Sequence, residues 1–139
     1  MCGSVNVRSA RGARATVAPL CSGLRMEPTG QHLILDFWGC DRAVLDDVVA
    51  LEAALVQAAH AADAHIVKRV MHAFTPHGVT GMLLLEESHL SIHTWPEKGY
   101  AAIDFYTCGA GDPRRAEGPL VELLRPTRIE RHSIARGAR

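Results

Sequence analysis

The sequence predicts an α+β two-layer sandwich, a mainly antiparallel sheet with helices packed on one face. Three observations carry that expectation. Residues 42–62 place apolar side chains at helical spacing. Residues 100–108 alternate apolar and polar, as a strand with one buried face does. The other apolar runs are short and joined by brief turns, so the order strand, helix, several strands, helix, strand gathers the helices on one side.

The first strand is expected over residues 32–38 (HLILDFW), followed by a turn at Gly39-Cys40-Asp41. Asp41 has the side chain of a helix N-cap. From Arg42 to Ala62 the residues Val44, Leu45, Val48, Val49, Leu51, Leu55 and Ala59 mark one helical face. A second strand is expected over 65–74 and a turn at Pro76-His77-Gly78. Residues 79–85 are apolar enough for a central strand. Trp95-Pro96-Glu97-Lys98-Gly99 reads as a loop, because Pro96 cannot donate to a strand ladder. Along 100–108, Ala101, Ile103, Phe105 and Thr107 should face the helices. Tyr100, Ala102, Asp104, Tyr106 and Cys108 should face away. Gly111-Asp112-Pro113 opens a second helix over 114–124, Pro126 ends it, and 128–134 completes the sheet.

The 139 residues suit one domain, and 47% hydrophobic residues suffice for a core. A domain this small leaves much surface exposed, which favours a homodimer. Fifteen basic and fifteen acidic residues remove the electrostatic case for nucleic acid as the main partner. No apolar run approaches the ~20 residues that span a bilayer. Residues 1–28 hold Arg8, Arg11, Arg14 and Arg25 without an acidic residue before Glu27. They read as a disordered basic tail, with Met26 as an alternative start, and 29–139 form the single domain. Cys2, Cys21, Cys40 and Cys108 include no CxxC pair, which argues against structural zinc. The absence of a signal peptide points to reduced thiols and a cytoplasmic protein.

Most chemistry is concentrated between residues 86 and 108. Ser88 follows Glu86 and Glu87, His93 lies five residues on, and Cys108 fifteen beyond that. A serine becomes a nucleophile when a histidine takes its proton, and a cysteine near a histidine can donate one. The alternative from spacing alone is that Ser88 and His89 cap a strand end and His93 is a hydrogen-bonded histidine. His89 and His93 would suit a metal only on a helix, and the stretch reads as strand and turn, so no metal ligands are assigned. On an ideal strand Ser88 and His93 also point to opposite faces, so the chain must bend or break between them.

Residues 87–97 (ESHLSIHTWPE), 99–104 (GYAAID) and 107–109 (TCG) resemble the self-cleavage segment of the S-adenosylmethionine decarboxylase family. Phe74, Pro76, residues 78–81 (GVTG) and the 35–45 region extend the resemblance to the short prokaryotic form, over about residues 30–135. The resemblance implies a proenzyme cut between Glu87 and Ser88, with Ser88 becoming a pyruvoyl cofactor that works by Schiff-base chemistry. It implies His93 as the processing base, Cys108 as the proton donor, and Thr80 as a processing helper where relatives carry serine. Phe74 would stack on the adenine of S-adenosylmethionine, and Glu97 would hold its ribose. His77 and Lys98 depart from the aromatics frequent in relatives. The implied product is the aminopropyl donor for spermidine synthesis, made by a homodimer of processed αβ units with sites at the interface. Arginine or ornithine is the alternative substrate class, and a non-processing binding or regulatory homologue is the other reading.

Overall fold

The computed structural model describes residues 28–137. The expected basic tail lies, except for Pro28, outside the described residues. Six strands form one antiparallel sheet: β1 (Gly30–Trp38), β2 (Ile66–Ala73), β3 (Val79–Leu85), β4 (Ser88–Trp95), β5 (Tyr100–Thr107) and β6 (Arg128–Arg136). Their spatial order is β2-β3-β4-β5-β1-β6. Two helices, α1 (Val48–Ala61) and α2 (Glu117–Leu124), pack against each other on one face. This is the expected two-layer sandwich.

The helix expected from Arg42 is divided. Asp41 is not the N-cap of a long helix: its Oδ1 accepts from Ala43 N–H at 2.8 Å, and Ala43, with no side-chain cap, opens only a single 3-10 turn, Val44–Asp46. Asp47 then breaks the run with extended backbone and restarts it. Its Oδ1 accepts from the N–H groups of Val49 and Ala50, both at 3.0 Å. The turn buries Leu45 fully, and the restart rotates the helix so that Val49 is 79% exposed. Leu51, Ala54, Leu55, Ala58 and Ala59 form the buried stripe, at i, i+3, i+4 spacing. The second helix is likewise preceded by a 3-10 turn, Pro113–Ala116.

The core lies between helices and sheet. Leu33, Leu35 and Phe37 of β1, Leu83 of β3, Leu90 and Ile92 of β4, and Ile103 and Phe105 of β5 are buried there. The β5 alternation is as expected, with Ala101, Ile103, Phe105 and Thr107 buried and the intervening residues half-buried. Among the described residues no helix or other element covers the opposite face of the sheet. That face carries Trp38, Tyr100 and Trp95 as a stack, with ring centroids 4.2 and 5.2 Å apart. It also exposes Val70, Met82, Leu84 and Ile134. No described helix is long and apolar enough to cross a membrane.

Candidate active site

Glu86 and Glu87 form the two-residue turn joining β3 to β4, closed by the Leu85–Ser88 pair. The bond between Glu87 and Ser88 therefore sits at a hairpin tip. Ser88 has φ 144°, a region that non-glycine residues occupy only under strain of about 1–3 kcal/mol. The departure breaks the usual alternation of side chains. Ser88 Oγ lies 3.3 Å from Nδ1 of His89, its immediate neighbour.

The carbonyl oxygen of Glu87 accepts two hydrogen bonds from one residue. Cys108 N–H donates at 3.0 Å and the Cys108 thiol at 3.2 Å. Two donors converging on a carbonyl oxygen stabilise the negative charge that grows there when a nucleophile attacks. The glycine after Cys108 makes this approach possible, since a Cβ on Gly109 would stand 2.5 Å from Glu87 Cγ. His65 Nδ1 is 3.6 Å from the Glu87 carboxylate.

The remaining expected residues lie at the other end of β3 and β4. Thr80 and His93 are opposite each other in the β3–β4 ladder, with Thr80 Oγ1 2.9 Å from His93 Nδ1. Both line a cleft of about 410 Å³ together with Phe74, His77, Trp95 and Glu97. Phe74 is 51% exposed in this cleft, so it is not a core residue. Glu97 pairs with His77 Nε2 at 3.2 Å, and Lys98 Nζ lies 5.9 Å from the Trp95 ring centroid. The cleft wall is held by Gly78, whose φ of 101° suits glycine and whose N–H donates to Asp46 at 2.8 Å. Thr94 Oγ1 accepts from Val79 N–H and donates to Leu45 C=O, tying β4 to β3 and to the 3-10 turn.

Within one chain the structure thus makes two clusters. Ser88, Glu87 and Cys108 stand together, and Thr80, His93, Phe74 and Glu97 stand together. His93 does not reach Ser88, because five residues of strand separate them by about 16 Å. His89 and His93 are about 13 Å apart by the same measure and cannot share an ion. Sequence reading gave His89 no catalytic part. The signal that could have found it is the polar row His89, Ser91, His93 and Trp95 on the uncovered face of an otherwise apolar strand.

Away from these clusters, burial pushes the Cys40 thiol up to about 11. Burial, followed by its hydrogen bond to Asp36, pushes the Tyr100 phenol up to about 12.

Known proteins match this arrangement along most of its length. A family model described as S-adenosylmethionine decarboxylase matches residues 31–137. An S-adenosylmethionine decarboxylase proenzyme of Thermotoga maritima is 48% identical over 75% of this chain and 81% of its own. One from Methanococcus maripaludis is 44% identical over 81% of this chain and 93% of its own. The crystal structure of the adenosylmethionine decarboxylase from Aquifex aeolicus superposes with a TM-score of 0.73 at 38% identity, over 80% of this chain and 92% of that one. A match that runs from the first strand to the last, and takes in both clusters, makes the chain a member of the S-adenosylmethionine decarboxylase family.

Proposed function

We propose that this chain is a self-processing decarboxylase of S-adenosylmethionine whose catalytic group is made from Ser88. The observation that carries the reading is the doubly held carbonyl of Glu87 beside the strained Ser88. Attack of Ser88 Oγ on that carbonyl replaces the amide by an ester. Removal of the Ser88 α-proton then expels the Glu87 carboxylate and cuts the chain. Water then hydrolyses the dehydroalanine left at the new end, releasing ammonia and leaving a pyruvoyl group. When present, that group supplies an electrophilic carbonyl that captures the substrate amine and takes up the electrons left by departing carbon dioxide. The residues fit it: Ser88 is half-buried rather than enclosed, and the exposed Cys108 thiol stands beside the position as a proton source.

His93 is the reading's base for the α-proton, with Thr80 fixing its ring. Phe74 offers an aromatic face to adenine and Glu97 a carboxylate to the ribose hydroxyls. His77 already holds Glu97, so it shares in that contact. The hydroxyl of Thr80 keeps its bond to His93, which favours a processing chain over a non-processing homologue. The relatives named above favour S-adenosylmethionine over arginine or ornithine.

The two clusters are completed by a second copy. An uncovered sheet face with stacked aromatics and exposed Val70, Met82, Leu84 and Ile134 supports a symmetric dimer. Packed face to face, the partner's cleft cluster meets this chain's Ser88 and Cys108. Cysteines without a CxxC pair, read as reduced thiols, favour the cytoplasm as the dimer's location.

Intact mass of the purified protein tests processing. Two chains, 1–87 and 88–139, with the second blocked at its N-terminus, are expected. Carbon dioxide release is expected from carboxyl-labelled S-adenosylmethionine and not from labelled arginine or ornithine. One uncut 139-residue mass, or release from a basic amino acid alone, would overturn the reading.

A further inference from the structure

We infer that His89 is the base that takes the Ser88 hydroxyl proton in the first processing step, a role separate from that of His93. The inference rests on the self-processing reading above and names a residue for its opening reaction. Four observations support it. Among the described residues, His89 Nδ1 is the hydrogen-bond partner of Ser88 Oγ, at 3.3 Å. The contact exists because of the positive φ at Ser88, since regular strand backbone sends adjacent side chains to opposite faces. The imidazole lies beside Tyr106, its cross-strand partner on β5, with ring centroids 6.3 Å apart. His93 is engaged with Thr80 and lies far along the strand.

The step balances within the chain. With Nδ1 unprotonated, His89 accepts the Ser88 O–H proton as Oγ bonds to the Glu87 carbonyl carbon. The carbonyl electron pair moves onto oxygen, where Cys108 N–H and S–H hold it. On collapse the Glu87–Ser88 C–N bond breaks, and the departing amine takes the proton back from His89. Amide and alcohol have become ester and amine, and His89 is regenerated.

The test tracks conversion of full-length wild-type, His89→Ala, His89→Asn and His93→Ala proteins by mass, each with and without hydroxylamine, which cuts esters. His89→Ala is expected to convert at least about tenfold more slowly than wild type. Its uncut chain is expected to resist hydroxylamine, and added imidazole is expected to restore part of the rate. His89→Asn keeps an acceptor near the Nδ1 position but no base, and should stay slow. This near-isosteric variant carries the test if the alanine variant melts early. His93→Ala should instead accumulate hydroxylamine-sensitive chain. Wild-type speed in His89→Ala, a hydroxylamine-sensitive His89→Ala chain, or full recovery in His89→Asn would each overturn the inference. If wild type itself never converts, the self-processing reading fails; if it converts and His89 variants match it, only the His89 role fails.

Discussion

Thr80 Oγ1 and His93 Nδ1 are 2.9 Å apart, directly across the β3–β4 ladder. The bond fixes the imidazole against a strand whose own register is held by Thr94, so the ring has little freedom at the cleft wall. Thr80→Val keeps the shape and removes the bond. Conversion of the proenzyme is expected to slow about five- to tenfold, the worth of one side-chain hydrogen bond, with hydroxylamine-sensitive chain building up. Thr80→Ser should convert like the parent. Equal rates in both variants would show that the hydroxyl contributes nothing.

Cys108 serves the Glu87 carbonyl through its backbone and its thiol, and substitution separates the two. Cys108→Ala keeps the N–H donor and loses a weak one, so processing should slow about tenfold, less than the roughly hundredfold or more that a strong donor is worth. Cys108→Ser keeps a donor and should process nearly normally. Carbon dioxide release by the processed serine variant should still fall well below the parent, because a hydroxyl gives up its proton less readily than a thiol. Time courses of cleavage and of decarboxylation, run on the same preparations, check both statements.

Gly109→Ala is expected to hinder cleavage without unfolding the protein. The added methyl would meet Glu87 Cγ at 2.5 Å and push the turn away from Cys108. A loss of at least about tenfold in cleavage rate is expected, with a melting temperature within a few degrees of the parent. A parent-like rate would show that the turn can yield without losing its two donors.

Ser88→Ala and His93→Ala are each expected to be inactive alone. If each site draws one cluster from either copy, co-expression should restore activity. Random pairing makes roughly half the dimers mixed, each with one complete site, so roughly a quarter of parental activity should return. No recovery would place both clusters of each site in one chain.

Stability should decline in alkali because of two acids with raised pKa, buried Cys40 and half-buried Tyr100. Cys40 is raised from 9.0 to about 11, and Tyr100 from 10.0 to about 12. The unfolded chain loses these protons first, so the folded state's advantage from Cys40 is full below about pH 9 and disappears as pH rises past about 11. For Tyr100 the same loss runs from about pH 10 to 12. Melting curves between pH 8 and about 11.5 should therefore fall less steeply for Cys40→Ala and Tyr100→Phe than for the parent.

The sheet and its buried face were legible in the sequence, because alternation and turn residues are local signals. The β5 residues Ala101 to Thr107 fell on the expected faces. The divided first helix was less legible. Asp41 and Asp47 are equally good cap residues in the sequence; Asp47 is the one that caps α1, and the 3-10 turn before it buries Leu45. In the candidate site, the pairing of Thr80 with His93 depends on ladder register, which the sequence does not print. The contact of Ser88 with His89 depends on one backbone angle that contradicts strand alternation. The mismatch of faces between Ser88 and His93 was legible; the backbone departure at Ser88 turns its hydroxyl toward His89, on the face of His93, and distance along β4 is what keeps the two apart.

The position of β1 between β5 and β6 has a consequence for the cut protein. Cleavage at the β3–β4 tip, as proposed, would leave one piece with β1, α1, β2 and β3, and another with β4, β5, α2 and β6. The upstream piece is then clamped at two places: β3 against β4, and β1 flanked on both edges by strands of the downstream piece. Separation requires three ladders to open together, so the mature protein should hold together without the peptide bond it has lost. Reassembly after unfolding is another matter. It becomes an encounter between two molecules, dependent on concentration, in which one strand must thread between two others. The fold forms most readily while the chain is whole, which would give the proposed cut a direction: assembly first, cutting second.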